Sequence, residues 1–385
     1  MRHPFRLIAV CAAVVAALVP VAAAQAKPVK WTAISAPNQS NTTQVSVFRN
    51  TDWSLTVASR LKASEAATEA DIVTIPIAKN GTPGAAQVIA SGTQWTILTS
   101  PSIIKLGNQR MVVFGGTNAT YDGLWAYILD SGSAVPFTGS GNSPTAGTGF
   151  VTAASTSKGA LATWSNTFGL AAMPLMTYAS PAQGLPIAGC CAYNAAIVDD
   201  GSRTWVVYDS NYASTVGLWT QEVDPTTGAA IGAASLVPKS VVDGGFSSPV
   251  DTRSAVAGAP SGAYVAWAQG YPATNRVALW RIGSPKPKLW SPGYAVGPVD
   301  VSRTTTGALW LAWADKYKGH IYARKSNAKM TAWGPVIKVG RVKPNHETVY
   351  KIVIDGVRPD GKLDLLVSSA TYASAPTWYH ALISP

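Results

Sequence analysis

Two sets of residues in this chain could do chemistry. The first is a series of tyrosines. Tyr212, Tyr271 and Tyr317 each fall four residues after an aromatic (Tyr208, Trp267, Trp313) that ends an apolar segment, and Tyr121 and Tyr372 occupy the corresponding places after two others. A phenol ring can stack on the apolar face of a sugar while its hydroxyl hydrogen-bonds. The same ring can equally plug the gap between its loop and a neighbouring strand, and the spacing alone admits both. The second set is acidic: Asp122, Asp209, Asp243, Asp251, Asp315 and Glu347 sit in the same kind of loop. Two carboxyls roughly 5–10 Å apart hydrolyse a glycosidic bond. Asp251, Glu347 and Asp122 are the candidates for that role, with Asp251 beside Arg253 and Glu347 between His346 and Tyr350. Aspartates in loops also cap turns, a structural use that competes with catalysis at every one of these positions.

Cys190 and Cys191 are adjacent and lie just before Tyr193. In an oxidising compartment they could close a vicinal disulfide that presents a flat surface to a ligand; two small buried hydrophobes are the alternative. Adjacent thiols without further His or Cys do not make a tetrahedral metal site, so no metal is expected, and no cofactor motif is found.

The compartment follows from the start of the chain. Arg2 and Arg6 precede an apolar run from Leu7 to Ala24, and Ala24-Gln25-Ala26 offers small residues for cleavage. That is the pattern of a signal peptide over residues 1–26, leaving residues 27–385 as one secreted domain with no further membrane-spanning stretch. The formal charge is +11, but the basic residues are scattered, richest at Lys316–Lys329 and Lys338–Lys351. Scattered positive charge reads as a solvated exterior, and no nucleic-acid partner is expected.

The elements that must position these residues are repeats. Seven apolar segments recur: Ser54–Ala58, Arg110–Phe114, Ala160–Trp164, Thr204–Tyr208, Ala263–Trp267, Leu309–Trp313 and Leu363–Val367. Each is followed, one loop later, by a second apolar strand, such as Asp71–Ala78, Gly123–Leu129 or Trp378–Ile383. Gly and Pro are plentiful, at 34 and 26 residues, and charged residues make up only 13%. Short strands joined by tight turns at this period predict an all-β fold, a β-propeller of seven four-stranded antiparallel blades, with six blades as the alternative. Innermost strands are expected at Ser102–Leu106, Phe150–Ser155, Asn194–Asp199, Asp251–Val256, Val299–Thr304 and Tyr350–Asp355. Outer strands are expected at Ala85–Ala90, Ala233–Val237, Lys286–Trp290 and Trp333–Val339. The last unit ends without room for its outer strand, so Val29–Ser35 is expected to close the ring and cover the open edge.

One unit carries a family resemblance. Asp300–Asp315, followed by His320–Ser326 and Thr331–Pro335, resembles a blade of the sialidase-like propellers with Asp-box repeats. In that family a Ser-x-Asp-x-Gly-x-x-Trp turn joins the third and fourth strands. Here Ser326–Trp333 stands at that place but has neither the Asp nor the Gly. The resemblance implies a carbohydrate-related propeller. It does not extend to the enzymes' catalytic set, because no Phe/Tyr-Arg-Ile-Pro motif is present and the arginine triad cannot be placed. Arg303 falls at the strand end away from the tyrosine loops, and glutamate occurs only at Glu65, Glu69, Glu222 and Glu347. The expected function is therefore binding of a glycan or cell-surface polymer, with hydrolysis left open, by a monomeric secreted propeller. Ligand contacts would come from Tyr121, Tyr193, Tyr212, Tyr271, Tyr317, Tyr372, Arg253 and His346. A non-catalytic protein-interaction or adhesion scaffold is the alternative.

Overall fold

The computed structural model describes residues 29–35, 45–62, 70–95, 97–137, 151–166, 169–175, 185–189, 192–210, 216–241, 254–270, 274–371 and 374–385. The fold is all-β, and the strands form seven antiparallel sheets. Blade 1 is Ser46–Arg49, Leu55–Lys62, Ala70–Ile77 and Gln87–Ala90, from the axis outward. Blade 2 is Ser102–Leu106, Gln109–Thr117, Asp122–Ile128 and Ser133–Phe137, with the short strand Ile97–Leu98 also on its second strand. Blade 3 is Val151–Thr156, Gly159–Asn166, Gly169–Pro174 and Leu185–Ala188; blade 4 is Ala192–Asp199, Thr204–Ser210, Gly217–Val223 and Ala230–Leu236. Blade 5 is Ala255–Ala259, Gly262–Gln269, Arg276–Arg281 and Lys288–Trp290. Blade 6 is Val296–Arg303, Leu309–Asp315, Ile321–Lys325 and Ile337–Gly340. Blade 7 takes Thr348–Asp355, Leu363–Ala370 and Thr377–Ile383 from the end of the chain, and its outermost strand, Thr32–Ala33, from the beginning.

That last pairing sets Thr32 opposite His380 and Ala33 opposite Tyr379. Ile34 N–H donates to Trp378 O at 2.9 Å, and Trp378 N–H donates to Ser35 Oγ at 3.0 Å. The segment from residue 29 thus covers the edge of the final blade, as its position in the sequence predicts. Several strand boundaries differ from expectation. The innermost strand of blade 5 is Ala255–Ala259, the expected residues 251–253 lying outside the described residues, and the outer strand of blade 6 is Ile337–Gly340, not Trp333–Val339. Blade 1 has an innermost strand, Ser46–Arg49, whose four half-buried residues give too short a pattern to be recognised.

Alternating side chains serve the two seams on either side of a blade. In the second strand of blade 6, Leu309, Leu311 and Trp313 pack towards blade 5, while Trp310, Ala312 and Ala314 pack towards blade 7. This is why second strands are buried on both faces and read as continuous apolar runs. Each innermost strand lies beside those of its two neighbours, blade 7 beside blade 1 included.

Between several of these innermost strands, side chains bond to the next blade's backbone. Ile103 N–H donates to Ser46 Oγ (3.0 Å), Ser155 Oγ to Lys105 O (2.8 Å), Thr152 Oγ1 to Ala195 O (2.7 Å) and Ile354 N–H to Asp300 Oδ2 (2.8 Å). At Gly258 the approach is closest, since a Cβ there would lie 1.8 Å from Asp199 O. Gly258→Ala is therefore expected to force blades 4 and 5 apart and cost about 3 kcal/mol or more, measured as a fall in the urea midpoint. An unchanged midpoint would show that this seam has slack.

The seam between blades 7 and 1 is ionic. Arg49 of blade 1 pairs with Asp364 and, at 3.2 Å, with Asp355. Arg358 reaches Asp364 at 3.2 Å and Asp360 at 2.9 Å, and its Nη2 donates to Lys79 O of blade 1. His380 Nε2 meets the other oxygen of Asp364 at 2.7 Å. Asp364, Arg358, Arg49 and Asp355 are all deeply buried.

The hairpin at Ser326–Trp333 is a tight, capped turn. Ser326 bridges Trp333, and Leu309 N–H donates to Ser326 Oγ at 2.8 Å. Met330 holds the glycine place at φ 58°, and Asn327 Oδ1 accepts from Thr331 N–H (2.9 Å) and Ala332 N–H (3.3 Å). An asparagine cap and a left-handed methionine thus shape the turn, with neither an Asp nor a Gly in it.

Candidate functional site

The loops that join second to third strands, and each outer strand to the next blade, share one face. Of the residues expected there, Asp243, Asp251, Arg253, Tyr212, Tyr271, Tyr372, Cys190 and Cys191 lie outside the described residues, as do residues 1–28, where a signal peptide is expected. The others do not converge. Tyr121 donates its hydroxyl to Phe137 O at 2.8 Å and sets its ring edge-on to Trp125, so it plugs its own blade. Tyr317 is 63% exposed, its N–H bonded to Asp315 Oδ1 and its ring 5.8 Å from Lys316 Nζ. His346 is buried, with Nδ1 3.2 Å from Ser369 Oγ and its ring edge-on to Tyr379; burial, with Lys343 nearby, lowers its pKa. It points into blade 7, while neighbouring Glu347 is half-buried and Tyr350 exposed, so the three do not form one cluster. Asp122 accepts from Thr117 Oγ1 at 2.6 Å, a turn-capping use. Tyr193 is half-buried opposite Asp209.

The large cavity lies at the other end of the axis. It has a volume of about 710 Å³ and is walled by the ends of the innermost strands of blades 3 to 7. Its charged and hydroxyl groups include Asp199, Asp300, Arg303, Ser155, Ser157 and Ser302, set among Ala154, Val256 and Ala257. Four donors meet Asp199: Gly201 N–H (2.7 Å) on Oδ1, and Ser157 N–H (3.1 Å), Ser157 Oγ (3.3 Å) and Thr204 Oγ1 (2.7 Å) on Oδ2. Asp300 accepts from Val301 N–H and Ile354 N–H, both at 2.8 Å. Burial pushes its carboxyl up to about 7, with those two N–H groups offsetting part of the rise. The cavity thus holds Asp300, whose carboxyl burial raises towards neutrality, and Asp199, whose oxygens accept from four donors.

None of the cavity residues except Arg303 figures in the sequence-based expectation, and Arg303 was set aside for lying at this end. Asp300 had one signal, a carboxylate in the middle of a predicted innermost strand, where a side chain faces either a seam or the axis. Among the described residues no three His, Cys, Asp or Glu gather to hold a metal, and no helix is long and apolar enough to cross a membrane.

Fold and cavity together define a β-propeller with an axial pocket. No protein-family model matches the chain, and no curated protein matches it. Solved structures do resemble it. A protein of unknown function from Dyadobacter fermentans is 14% identical over 93% of this chain and 98% of its own, with a TM-score of 0.55. The phage phi92 endosialidase is 9% identical over 92% of this chain and 69% of its own, at 0.49. The Trypanosoma rangeli sialidase is 10% identical over 89% of this chain, at 0.46, and this chain spans 55% of its length. The structural neighbours thus include sialidase-like propellers, and at these identities the likeness is one of fold.

Proposed function

We propose that this chain is an exported propeller that binds a carbohydrate in its axial channel. The observation that carries the proposal is the cavity of about 710 Å³ and its lining. Its size falls within the range of small-molecule sites, roughly 300–1,000 Å³. Hydroxyls, three carboxyls (Asp199, Asp200 and Asp300) and a guanidinium set among small apolar side chains suit a ligand whose own hydroxyls both donate and accept. The leader-like start of the chain supports export. Tyr212, Tyr271, Tyr317 and Tyr372, with Asp251 and Arg253, remain candidates for contacts to a longer polymer.

The test is a glycan panel screened with the purified protein for binding and for release of reducing sugar. The expected result is binding to at least one glycan, weakened about tenfold or more by Asp300→Asn, the cost of one lost charge-assisted contact. Silence across the panel would overturn the proposal.

A second reading, an adhesion scaffold, has one observation in its favour. The outermost strand of blade 4, Ala230–Leu236, has no charged residue and exposes Ile231 (48%) and Leu236 (39%). An uncharged edge of this kind accepts an extended segment of another protein.

A further inference from the structure

The seam between blades 4 and 5 carries three buried polar atoms with nothing to bond. In the second strand of blade 4, Val206 and Tyr208 pack towards blade 3, and Val207 packs towards blade 5. Asp209, two residues beyond Val207 in an unshifted register, therefore faces blade 5. In the second strand of blade 5, Ala263, Val265 and Trp267 pack towards blade 4, and Gln269 follows on the same face. Asp209 and Trp267 are only 6% and 5% exposed. Among the described residues, Asp209 Oδ1, Trp267 Nε1 and Gln269 Oε1 have no hydrogen-bond partner.

Idle indoles recur elsewhere, at Trp164, Trp310 and Trp378, so Trp267 alone carries no weight. A carboxyl and a carboxamide oxygen left idle at the same end of the same seam are another matter, because each such group costs stability that a partner would restore. The backbone there is also unusual. Asn194 takes φ 53° inside a bulge between Tyr193 and Ala196, and its side chain hydrogen-bonds Asp209. Its carbonyl accepts from both Ser254 N–H (2.8 Å) and Ser254 Oγ (3.0 Å), which fixes the start of blade 5 against it. Bulges and left-handed residues of this kind re-aim side chains at functional positions. Burial pushes Asp209 up to about 7, so at neutral pH its carboxyl can donate as well as accept.

We propose that this seam is a second ligand site, separate from the axial cavity, which takes neighbouring hydroxyl groups of a polyol or sugar unit. One hydroxyl accepts from Trp267 Nε1–H and donates to Asp209 Oδ1; its neighbour donates to Gln269 Oε1. A metal cation would satisfy the two oxygens and leave the indole N–H idle, whereas a pair of hydroxyls satisfies all three. The site does not depend on the axial cavity binding anything.

The experiment uses the full chain carrying Thr156→Trp, which obstructs the axial cavity between blades 3 and 4, with D-mannose, D-glucose and L-arabinose as probes in saturation-transfer NMR. At least one probe is expected to bind, and Asp209→Ala and Trp267→Phe are each expected to weaken it about tenfold or more. If Asp209→Ala does not fold, Trp267→Phe and Gln269→Ala decide. No binding by any probe, or binding that survives these variants, overturns the proposal.

Discussion

Replacing Asp364 by Ala is expected to destabilise the fold by about 3–5 kcal/mol, the cost of removing one partner from a buried ionic network. Both oxygens of Asp364 are engaged, one by His380 and the other by Arg49 and Arg358. Its removal leaves two buried guanidinium groups short of charge at the seam where the first blade meets the last. Burial alone would push this carboxyl up, but the bond from His380 and the charge of Arg49 more than offset it, and its pKa lies below the usual value of 3.8. Its stabilising contribution is therefore present at neutral pH and lost as pH falls below that value. The control is Asp130, whose ion pair with Arg110 is exposed on both sides. Asp130→Ala should leave the urea midpoint nearly where it was, because solvent screens such pairs. Equal effects of the two substitutions would mean that the closing seam is not held by charge.

The second large effect concerns pH. Asp300 has a folded pKa raised from 3.8 to about 7, so the folded chain holds a proton that the unfolded chain has released. Stability from this group is fully present below about pH 4 and is lost as pH rises towards 7. Asp209 is raised to the same level and acts in the same direction, while His346 and His320, both lowered by burial, act oppositely. The wild-type profile is thus a sum of opposing slopes, and the comparison with Asp300→Asn isolates one of them. Relative to that variant, the wild type is expected to lose a few kcal/mol between pH 4 and pH 8. The variant will be less stable throughout, since an amide accepts from only one of the two N–H groups of Ile354 and Val301. The slope of the difference, from urea midpoints at each pH, is the diagnostic quantity. Parallel profiles would show that the Asp300 carboxyl is not held in a protonation state of its own.

Much of the scaffold was legible because second and third strands are buried on both faces, which writes long apolar runs at a steady period. The closing strand was legible for a related reason, since a final unit missing one strand and a short strand before the first unit are complementary. Ser46–Arg49 was not, because innermost strands are short and partly face the axis. The seam ions were not legible either: Arg49 and Asp364 are far apart in the chain, and only ring closure brings them together. The tyrosine spacing was real as a repeat, yet Tyr121 and Tyr317 end in different surroundings, because a shared register fixes where a side chain starts and not what it meets. The axial cavity was hidden for a further reason. It is assembled from the strand ends of five blades, its polar side chains come from blades 3, 4 and 6 and look like turn caps when read singly, and Asp199 does cap a turn.

The axial channel as ligand site is the central claim, and one titration tests it most directly. The glycan selected from the panel is titrated calorimetrically into the wild type and into Thr156→Trp, whose indole would fill the space between the innermost strands of blades 3 and 4. Both proteins should show the same melting temperature within a few degrees, since Thr156 lies at a strand end. The account predicts that the variant's affinity falls by about a hundredfold or more, roughly 2.8 kcal/mol. Unchanged affinity in a folded Thr156→Trp protein would contradict it and move the site to the tyrosine-bearing face.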